Sequence, residues 1–102
     1  KNFLILNCGM NNLIRPSLYN AFHKIVPIKV NNSNKKSKFD IVGPICESSD
    51  VFAKDYMIQS GIMKDDLVVI CSAGAYGACM SSTYNLREET KEICIEKGKL
   101  FK

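Results

Sequence analysis

The chain has 102 residues, 46% of them hydrophobic and 24% charged, which is the composition of one small globular domain. Its net charge of +4 does not predict a nucleic-acid platform, because the lysines are largely dispersed and neither Arg15 nor Arg87 lies in a basic cluster. The longest apolar runs are strand-sized, far short of the ~20 residues that a membrane-spanning helix needs.

The cysteines indicate a reducing environment. The chain carries five of them at irregular spacings: Cys8, Cys46, Cys71, Cys79 and Cys94. An odd number without a C-x-x-C pair does not predict a secreted disulfide framework, and the single histidine, His23, argues against a structural zinc site. No signal-peptide pattern opens the sequence. We therefore expect reduced thiols, a cytoplasmic setting and, since Lys1 leads straight into an apolar run, a piece of a longer protein.

The amino-terminal segment predicts one strand and one short helix. Residues 3–6 form an apolar run before Asn-Cys-Gly, which is typical of a buried strand that ends in a tight turn. Asn11-Asn12 offers a helix N-cap, and the apolar residues that follow fall near helical spacing. Because Pro16 fits only the first turn of a helix, we expect the helix to be short or to begin near Arg15.

The middle of the chain predicts further strands. Residues 23–30 form a strand candidate in which Pro27 indicates an edge or a bulge. Residues 31–38 are polar and without pattern, which predicts a loop. Residues 39–42 predict a short strand that stops at a Gly-Pro pair, and residues 51–56 predict a helical turn.

The carboxy-terminal part predicts the strongest strand, residues 67–71, after a connection over residues 58–66. Residues 91–95 and 100–101 flank Lys97-Gly98, a plausible hairpin turn. At least five short strands with one or two short helices and no regular βαβ alternation predict a mainly antiparallel β domain. We expect a barrel or sandwich with short helical insertions.

The first segment that could carry chemistry contains Arg15 and Tyr19. Their spacing of four would place them on one face of a helix. The planar fork of arginine suits a carboxylate, and a phenol adds a directional hydrogen bond. An ordinary surface arginine beside a half-buried tyrosine explains the same pattern, and composition alone favours that simpler interpretation.

The second segment is the turn over residues 43–50, which contains Cys46 and Glu47. A thiol beside a carboxylate could serve as a proton donor next to an ammonium binder. A small buried hydrophobic residue followed by a helix-capping acid is the alternative.

The third segment surrounds Tyr76 with small residues between positions 73 and 85. Such a tyrosine could lie against a flat ligand or reach a phosphate, and a helix that starts near Gly74 would offer backbone N–H groups to an anion. A structural tyrosine in a tight turn is an equally good account of the pattern.

Together the three segments resemble the carboxy-terminal domain of the diaminopimelate decarboxylase family. The matching stretches are GMNNLIRPSLYNAFH at residues 9–23, GPICESSDVFAKD at 43–55 and SAGAYGACMSSTYN at 72–85. They occur in the family's order, and the resemblance as a whole extends over nearly the whole chain. Related decarboxylases for ornithine, arginine and carboxynorspermidine share a Cys-acid turn and a Gly-Ala-Tyr turn, whereas the Arg-Pro-x-Leu-Tyr stretch and the Cys-Glu pair point to diaminopimelate. Asn12 and Ser49, which both lie in predicted turns, depart from the residues that are common in the family.

The resemblance assigns five site residues. Arg15 and Tyr19 match residues that bind the distal carboxylate of the substrate and neighbouring groups. Cys46 and Glu47 match a pair that the family contributes across a dimer interface. In that pair the Glu binds the distal ammonium, and the Cys is the catalytic proton donor. Tyr76 matches a tyrosine that contacts the cofactor near its phosphate.

The resemblance also implies partners that these residues do not supply. The cofactor is pyridoxal 5'-phosphate, and its Schiff-base lysine belongs to an amino-terminal (β/α)8 barrel that is absent from the 102 residues. The parent is expected to be a cytoplasmic, homodimeric carboxy-lyase that converts meso-2,6-diaminopimelate to L-lysine and CO₂. We expect the chain alone, a single domain over residues 1–102, to be inactive and to bind no metal, nucleic acid or membrane.

Two other interpretations stay open from the sequence. A sister decarboxylase for another basic amino acid would need the acid Glu47 but not Arg15. A free-standing β domain that binds partners without catalysis would cover with polar residues the surface against which the absent barrel should pack.

Overall fold

A computed structural model describes residues 1–29, 35–45, 47–75, 77–83 and 91–101 of the chain. Its elements are, in chain order, β1 (Phe3–Ile5), α1 (Arg15–Tyr19), β2 (Ile25–Pro27), β3 (Lys36–Val42), β4 (Val51–Gln59), β5 (Val68–Ile70), β6 (Cys94–Glu96) and β7 (Lys99–Phe101). The prediction of a mainly β fold with a short helix is confirmed. No helix within these ranges is long and apolar enough to cross a membrane.

The central sheet has the strand order β1-β3-β4. β1 runs parallel to β3, with Phe3 opposite Asp40, and β3 runs antiparallel to β4, from the Lys36–Gln59 pair onward. A parallel pair needs a long crossover, and the segment that holds α1 and β2 provides it. The remaining sheets are two-stranded and antiparallel, one formed by β2 and β5 and the other by β6 and β7.

Strand β4 replaces the helical turn that was predicted over residues 51–56, so that prediction is wrong. Two register shifts in the β3–β4 ladder interrupt the alternation of buried and exposed residues that would have revealed the strand. At the first shift, Asp55 adopts a positive φ of 50°. Its N–H donates to Oδ1 of Asp40 at 2.9 Å, while Oδ2 of Asp40 pairs with Lys1 Nζ at 3.1 Å. The bulge is therefore stabilised by a carboxylate from the opposite strand.

Strand β3 is longer than predicted, because it begins at Lys36 rather than at Phe39. The loop predicted over residues 31–38 is thus too long at its carboxyl end, and residues 30–34 lie outside the described residues. β1 covers only the far end of β3, so the polar residues 36–38 pair with β4 alone and keep their solvent contact. The connection predicted from residue 58 likewise begins later, after Gln59.

The core lies between the central sheet and the β2–β5 ladder. Its buried hydrophobic members are Leu13, Ile25, Ile41, Phe52 and Ile58. Tyr56 joins the two sheets, since its hydroxyl donates to the Ile25 carbonyl at 3.0 Å and accepts from the Ile25 N–H at 2.9 Å. Pro27 pairs with β5 in a two-stranded ladder, which agrees with its predicted place at an edge.

The carboxy-terminal hairpin is the prediction that the structure reproduces most closely. β6 and β7 pair from Cys94–Phe101 to Glu96–Lys99, so the turn falls at Lys97 and Gly98. Both turn residues have positive φ, 49° and 77°, as a two-residue type I′ turn requires. Glycine adopts a positive φ easily, so Lys97-Gly98 predicts this turn from the local sequence alone, without reference to the rest of the fold.

Candidate functional site

Helix α1 carries two of the predicted site residues, Arg15 and Tyr19. Pro16 is buried in the first turn, as predicted, and Asn20 ends the helix in the left-handed conformation with its N–H directed to the Arg15 carbonyl. The single turn puts both side chains on one face, where Tyr19 is 60% exposed and Arg15 is half-buried. Neither side chain forms a hydrogen bond or ion pair with another described residue, so both are available to a ligand.

The turn over residues 43–50 connects β3 to β4 and carries the second predicted pair. Cys46 lies outside the described residues, and its role stays a prediction. Glu47 is exposed, and its backbone is held on both sides: its N–H donates to the Ile45 carbonyl at 2.8 Å, and its carbonyl accepts from the Asp50 N–H at 3.1 Å. The Gly43 N–H donates to the Asp50 carbonyl at 3.0 Å and closes the base of the turn.

Asp50 is a buried acid that the sequence predictions missed. Its side chain is 3% exposed. Oδ2 accepts a hydrogen bond from the Ile45 N–H at 2.7 Å, and Oδ1 accepts one from the Met10 N–H at 2.8 Å. A methyl group on Gly43 would overlap this carboxylate, which explains why glycine occupies that position. The only sequence signal was an acid at the end of a glycine-bounded turn.

Helix α1 is tied directly to the same turn. The Ser17 hydroxyl donates to the Ser49 carbonyl, and the Ser49 hydroxyl lies 3.9 Å from Sδ of Met10. We call the set of contacts among Met10, Ser17, Ile45, Ser49 and Asp50 the loop junction. It brings together the element that carries Arg15 and the turn that carries Glu47, two segments that the sequence could only suggest as separate motifs.

An open groove of about 600 Å³ runs between α1 and β4. It is lined by Pro16, Ser17 and Asn20 on one side and by residues of β4 on the other, near the stacked rings of Phe22 and Tyr56, whose centroids are 6.4 Å apart. Arg15, Tyr19 and Glu47 do not line this groove. The three described site residues therefore lie outside the groove.

In its described residues, 73–75 and 77–83, the third segment forms turns, and the helix near Gly74 that could have offered N–H groups to an anion is not formed. Gly77 N–H donates to the Gly74 carbonyl at 3.4 Å, and Ser81 N–H donates to the Ala78 carbonyl at 3.1 Å. Two glycines within four residues disfavour a helix. Tyr76 lies outside the described residues, and its role also stays a prediction.

The third segment meets the first one through a backbone contact. Ser82 N–H donates to the Asn11 carbonyl at 2.8 Å. Beside this contact lies an open pocket of about 690 Å³, lined by Asn12, Leu13, Ala73, Gly74, Gly77, Ala78 and residues 91–94. A methyl group added at Gly74 would meet nothing within 4 Å. The small side chains leave this wall accessible, and a flat ring or a phosphate could approach its backbone closely.

His23 has a structural place in the fold. It is 5% exposed, and its Nδ1 lies 3.0 Å from the Cys71 carbonyl, next to the β2–β5 ladder. In the part of the chain that the structure describes, no three His, Cys, Asp or Glu side chains converge to hold a metal ion.

The outer face of the β2–β5 ladder is apolar, and none of the described residues covers it fully. Val26 pairs with Val69, and the Ile28 N–H donates to the Leu67 carbonyl at 3.0 Å. Ile28, Leu67 and Val69 are 59%, 66% and 43% exposed. Their alternating neighbours, among them Ile25, face the core, so the ladder has hydrophobic side chains on both faces. A sheet buried on both faces has this pattern.

Comparison with known proteins gives consistent results. The model of the pyridoxal-dependent decarboxylase C-terminal sheet domain matches residues 1–74. A diaminopimelate decarboxylase of Aquifex aeolicus is 47% identical over 98 residues, which is 96% of this chain and 23% of the relative. The Haemophilus influenzae diaminopimelate decarboxylase is 45% identical over 94% of this chain and 23% of its own length.

A solved structure agrees with these sequence comparisons. The Helicobacter pylori diaminopimelate decarboxylase complexed with L-lysine superposes with a TM-score of 0.87 and 41% identity, over 97% of this chain and 24% of that one. The chain thus spans about a quarter of the length of the relatives it matches.

Proposed function

We infer the function from one premise: the chain belongs to the pyridoxal-dependent decarboxylases, as their C-terminal sheet domain. We propose that its parent protein is a diaminopimelate decarboxylase, which converts meso-2,6-diaminopimelate to L-lysine and CO₂ in lysine biosynthesis. The observation that carries this proposal is the loop junction, because it holds the helix with Arg15 and Tyr19 firmly against the turn with Glu47.

The substrate explains why both elements are needed. The distal end of meso-diaminopimelate carries a carboxylate and an ammonium. Arg15 and Tyr19, on one exposed helix face, suit the carboxylate, because a guanidinium and a phenol can donate hydrogen bonds to it together. Glu47, exposed at the tip of its turn, suits the ammonium. An amino acid without the distal carboxylate would offer Arg15 no group to bind.

Cys46 is the proposed catalytic residue, as donor of the proton that replaces the departing carboxyl group. The resemblance supports this role, since Cys46 adjoins Glu47 in a turn that the family extends into the active site of the partner subunit. A thiol can carry out one proton transfer when a carboxylate beside it orients the substrate.

The cofactor of the family is pyridoxal 5'-phosphate, which when bound supplies the electron sink for loss of CO₂. The described residues are compatible with a cofactor contact at this surface, because Ala73, Gly74 and Gly77, which flank Tyr76 in the sequence, form an open wall of small residues. We propose that Tyr76 contacts the cofactor near its phosphate. The Schiff-base lysine would come from the amino-terminal barrel of the parent.

The uncovered face of the β2–β5 ladder supports the need for further chain. Ile28 and Leu67 expose more than half of their surface on a sheet face that continues with Val26 and Val69. A free-standing domain would present polar residues there. We therefore propose that the barrel or the second subunit covers this face in a cytoplasmic homodimer, and not that the chain acts alone.

The parent protein should be assayed with meso-diaminopimelate, ornithine and arginine at saturating pyridoxal 5'-phosphate. Release of CO₂ with formation of lysine from meso-diaminopimelate is the expected result. Turnover of ornithine or arginine, without turnover of diaminopimelate, would contradict the proposal and favour a sister decarboxylase. The 102-residue chain is the negative control, because it lacks the Schiff-base lysine and is expected to be inactive.

A further inference from the structure

We propose that Asp50 is a positioning residue, which holds the turn over residues 43–50 in the one orientation that directs the Glu47 carboxylate to the distal ammonium of the substrate. This inference rests on the proposed function of Glu47 and extends it to a buried residue that contacts neither substrate nor cofactor.

The hydrogen bonds of Asp50 come from two separate parts of the chain. Its carboxylate accepts the Ile45 N–H within its own turn and the Met10 N–H from a loop 40 residues earlier. Both distances, 2.7 and 2.8 Å, lie in the range of well-formed N–H···O hydrogen bonds. A carboxylate that is 3% exposed needs such partners, because a buried charge without them is strongly unfavourable.

These bonds enclose the backbone of Glu47. Asp50 Oδ2 fixes Ile45, whose carbonyl accepts the Glu47 N–H, and the Asp50 N–H donates to the Glu47 carbonyl. Both peptide groups of Glu47 are thus linked to Asp50, directly or through one residue. Ile45 adds a second restraint, since its side chain is 6% exposed and cannot leave the interior without cost.

The bond to Met10 fixes the turn relative to the rest of the domain. Met10 precedes α1, and the Ser17–Ser49 hydrogen bond connects α1 to the same turn. Without the Asp50 carboxylate the turn would keep its covalent ends at β3 and β4 but would lose the hydrogen bond from the Met10 N–H, with only the long Ser49–Met10 sulfur contact left between them. Glu47 would then sample several orientations, and only a fraction of them would meet the ammonium.

Substrate selectivity in the parent protein tests this role. The measured quantity is kcat/KM for meso-diaminopimelate divided by kcat/KM for 2-aminopimelate, which lacks the distal amino group. This ratio does not depend on the fraction of active enzyme, so a loss of stability alone leaves it unchanged. We expect Glu47→Gln to lower the ratio ~30-fold and Asp50→Asn to lower it roughly 10-fold, since each weakens one charged hydrogen bond to the ammonium.

Asp40→Asn is the matched control. Asp40 is also buried, at 7% exposure, and also accepts a backbone N–H, but that N–H belongs to Asp55 in β4 and not to the turn with Glu47. Its substitution is expected to lower thermal stability and leave the ratio at the wild-type value. If Asp50→Asn behaves like Asp40→Asn while Glu47→Gln lowers the ratio, the inference is overturned and the proposed function stands. An unchanged ratio in Glu47→Gln overturns both.

Amide hydrogen exchange in the wild-type parent decides the matter if Asp50→Asn does not fold. The N–H groups of Met10 and Ile45 are expected to exchange roughly 100-fold more slowly than the Met63 N–H, whose acceptor is the exposed carboxylate of Asp66 at 2.8 Å. Exchange of all three at similar rates would show that the Asp50 carboxylate does not restrain the turn, and would overturn the inference.

Discussion

Two buried aspartates of this small domain use the same chemistry for different tasks. Asp40 lies within β3, and its carboxylate binds the N–H of a bulge in the neighbouring strand and the ammonium of Lys1. Asp50 lies immediately before β4, and its carboxylate binds N–H groups from two loops that belong to different sequence motifs. Burial and hydrogen bonding therefore do not by themselves identify a functionally important carboxylate. What distinguishes the two aspartates is which segments of the chain each carboxylate connects.

The largest effect on stability is expected for Asp50→Ala. The change leaves the buried N–H of Ile45 and the partly buried N–H of Met10 without acceptors, which costs roughly 2–5 kcal/mol of the free energy of unfolding. Denaturant titration of the parent measures it. Asp66→Ala is the control, because that acid accepts a single N–H at an exposed turn. Equal losses in the two variants would remove the distinction between a buried junction and an ordinary capped turn.

Gly43→Ala tests the same junction from the other side. The added methyl group would overlap the Asp50 carboxylate, so the side chain must move away from its backbone donors. We expect a loss of about 1–3 kcal/mol in the free energy of unfolding. Gly74→Ala is the matched control, since its methyl group would meet nothing within 4 Å and is expected to be neutral or slightly stabilising. A neutral Gly43→Ala would show that the junction tolerates displacement of the carboxylate.

Acid sensitivity tests the other aspartate. The hydrogen bond from the Asp55 N–H, aided by Lys1, holds the pKa of Asp40 below its ordinary value of 3.8, although burial acts in the opposite direction. Because the folded-state pKa is the lower one, the carboxylate contributes stability that is fully present above pH 3.8 and is lost as the pH falls through the folded-state value. Asp40→Asn is therefore expected to flatten the decline in melting temperature below pH 4. An unchanged decline would contradict the assignment.

Local signals in the sequence predicted part of the fold correctly. The hairpin at Lys97-Gly98 and the start of α1 next to Pro16 depend on turn and helix chemistry within a few residues, and both occur where they were expected. β4 was missed because the bulge at Asp55 breaks the period-two pattern that reveals a strand. That bulge is stabilised by Asp40, 15 residues away, so no local pattern could have indicated it.

The candidate site also contains residues that local motifs predict and residues that only long-range contacts reveal. Arg15, Tyr19 and Glu47 were nominated by motifs, and the structure brings the elements that carry them into contact. Asp50, which joins the turn to the loop before α1, could not be assigned from sequence, because its role depends on a hydrogen bond from the Met10 N–H across 40 residues. Long-range contacts of this kind follow from the crossover between β1 and β3, which no single motif contains.

The smallest expected effect belongs to Ser17, the second link between α1 and the turn. Its hydroxyl donates to the Ser49 carbonyl at an exposed position, where water can replace the lost partner. We therefore expect Ser17→Ala to cost only ~0.5–1 kcal/mol in the free energy of unfolding, less than either change at the buried part of the junction. Ser48→Ala, an exposed serine of the same turn, should change stability by less than about 0.5 kcal/mol. If Ser17→Ala proved as costly as Asp50→Ala, the exposed helix contact would contribute as much to the junction as the buried carboxylate, and the contrast between the two links would be lost.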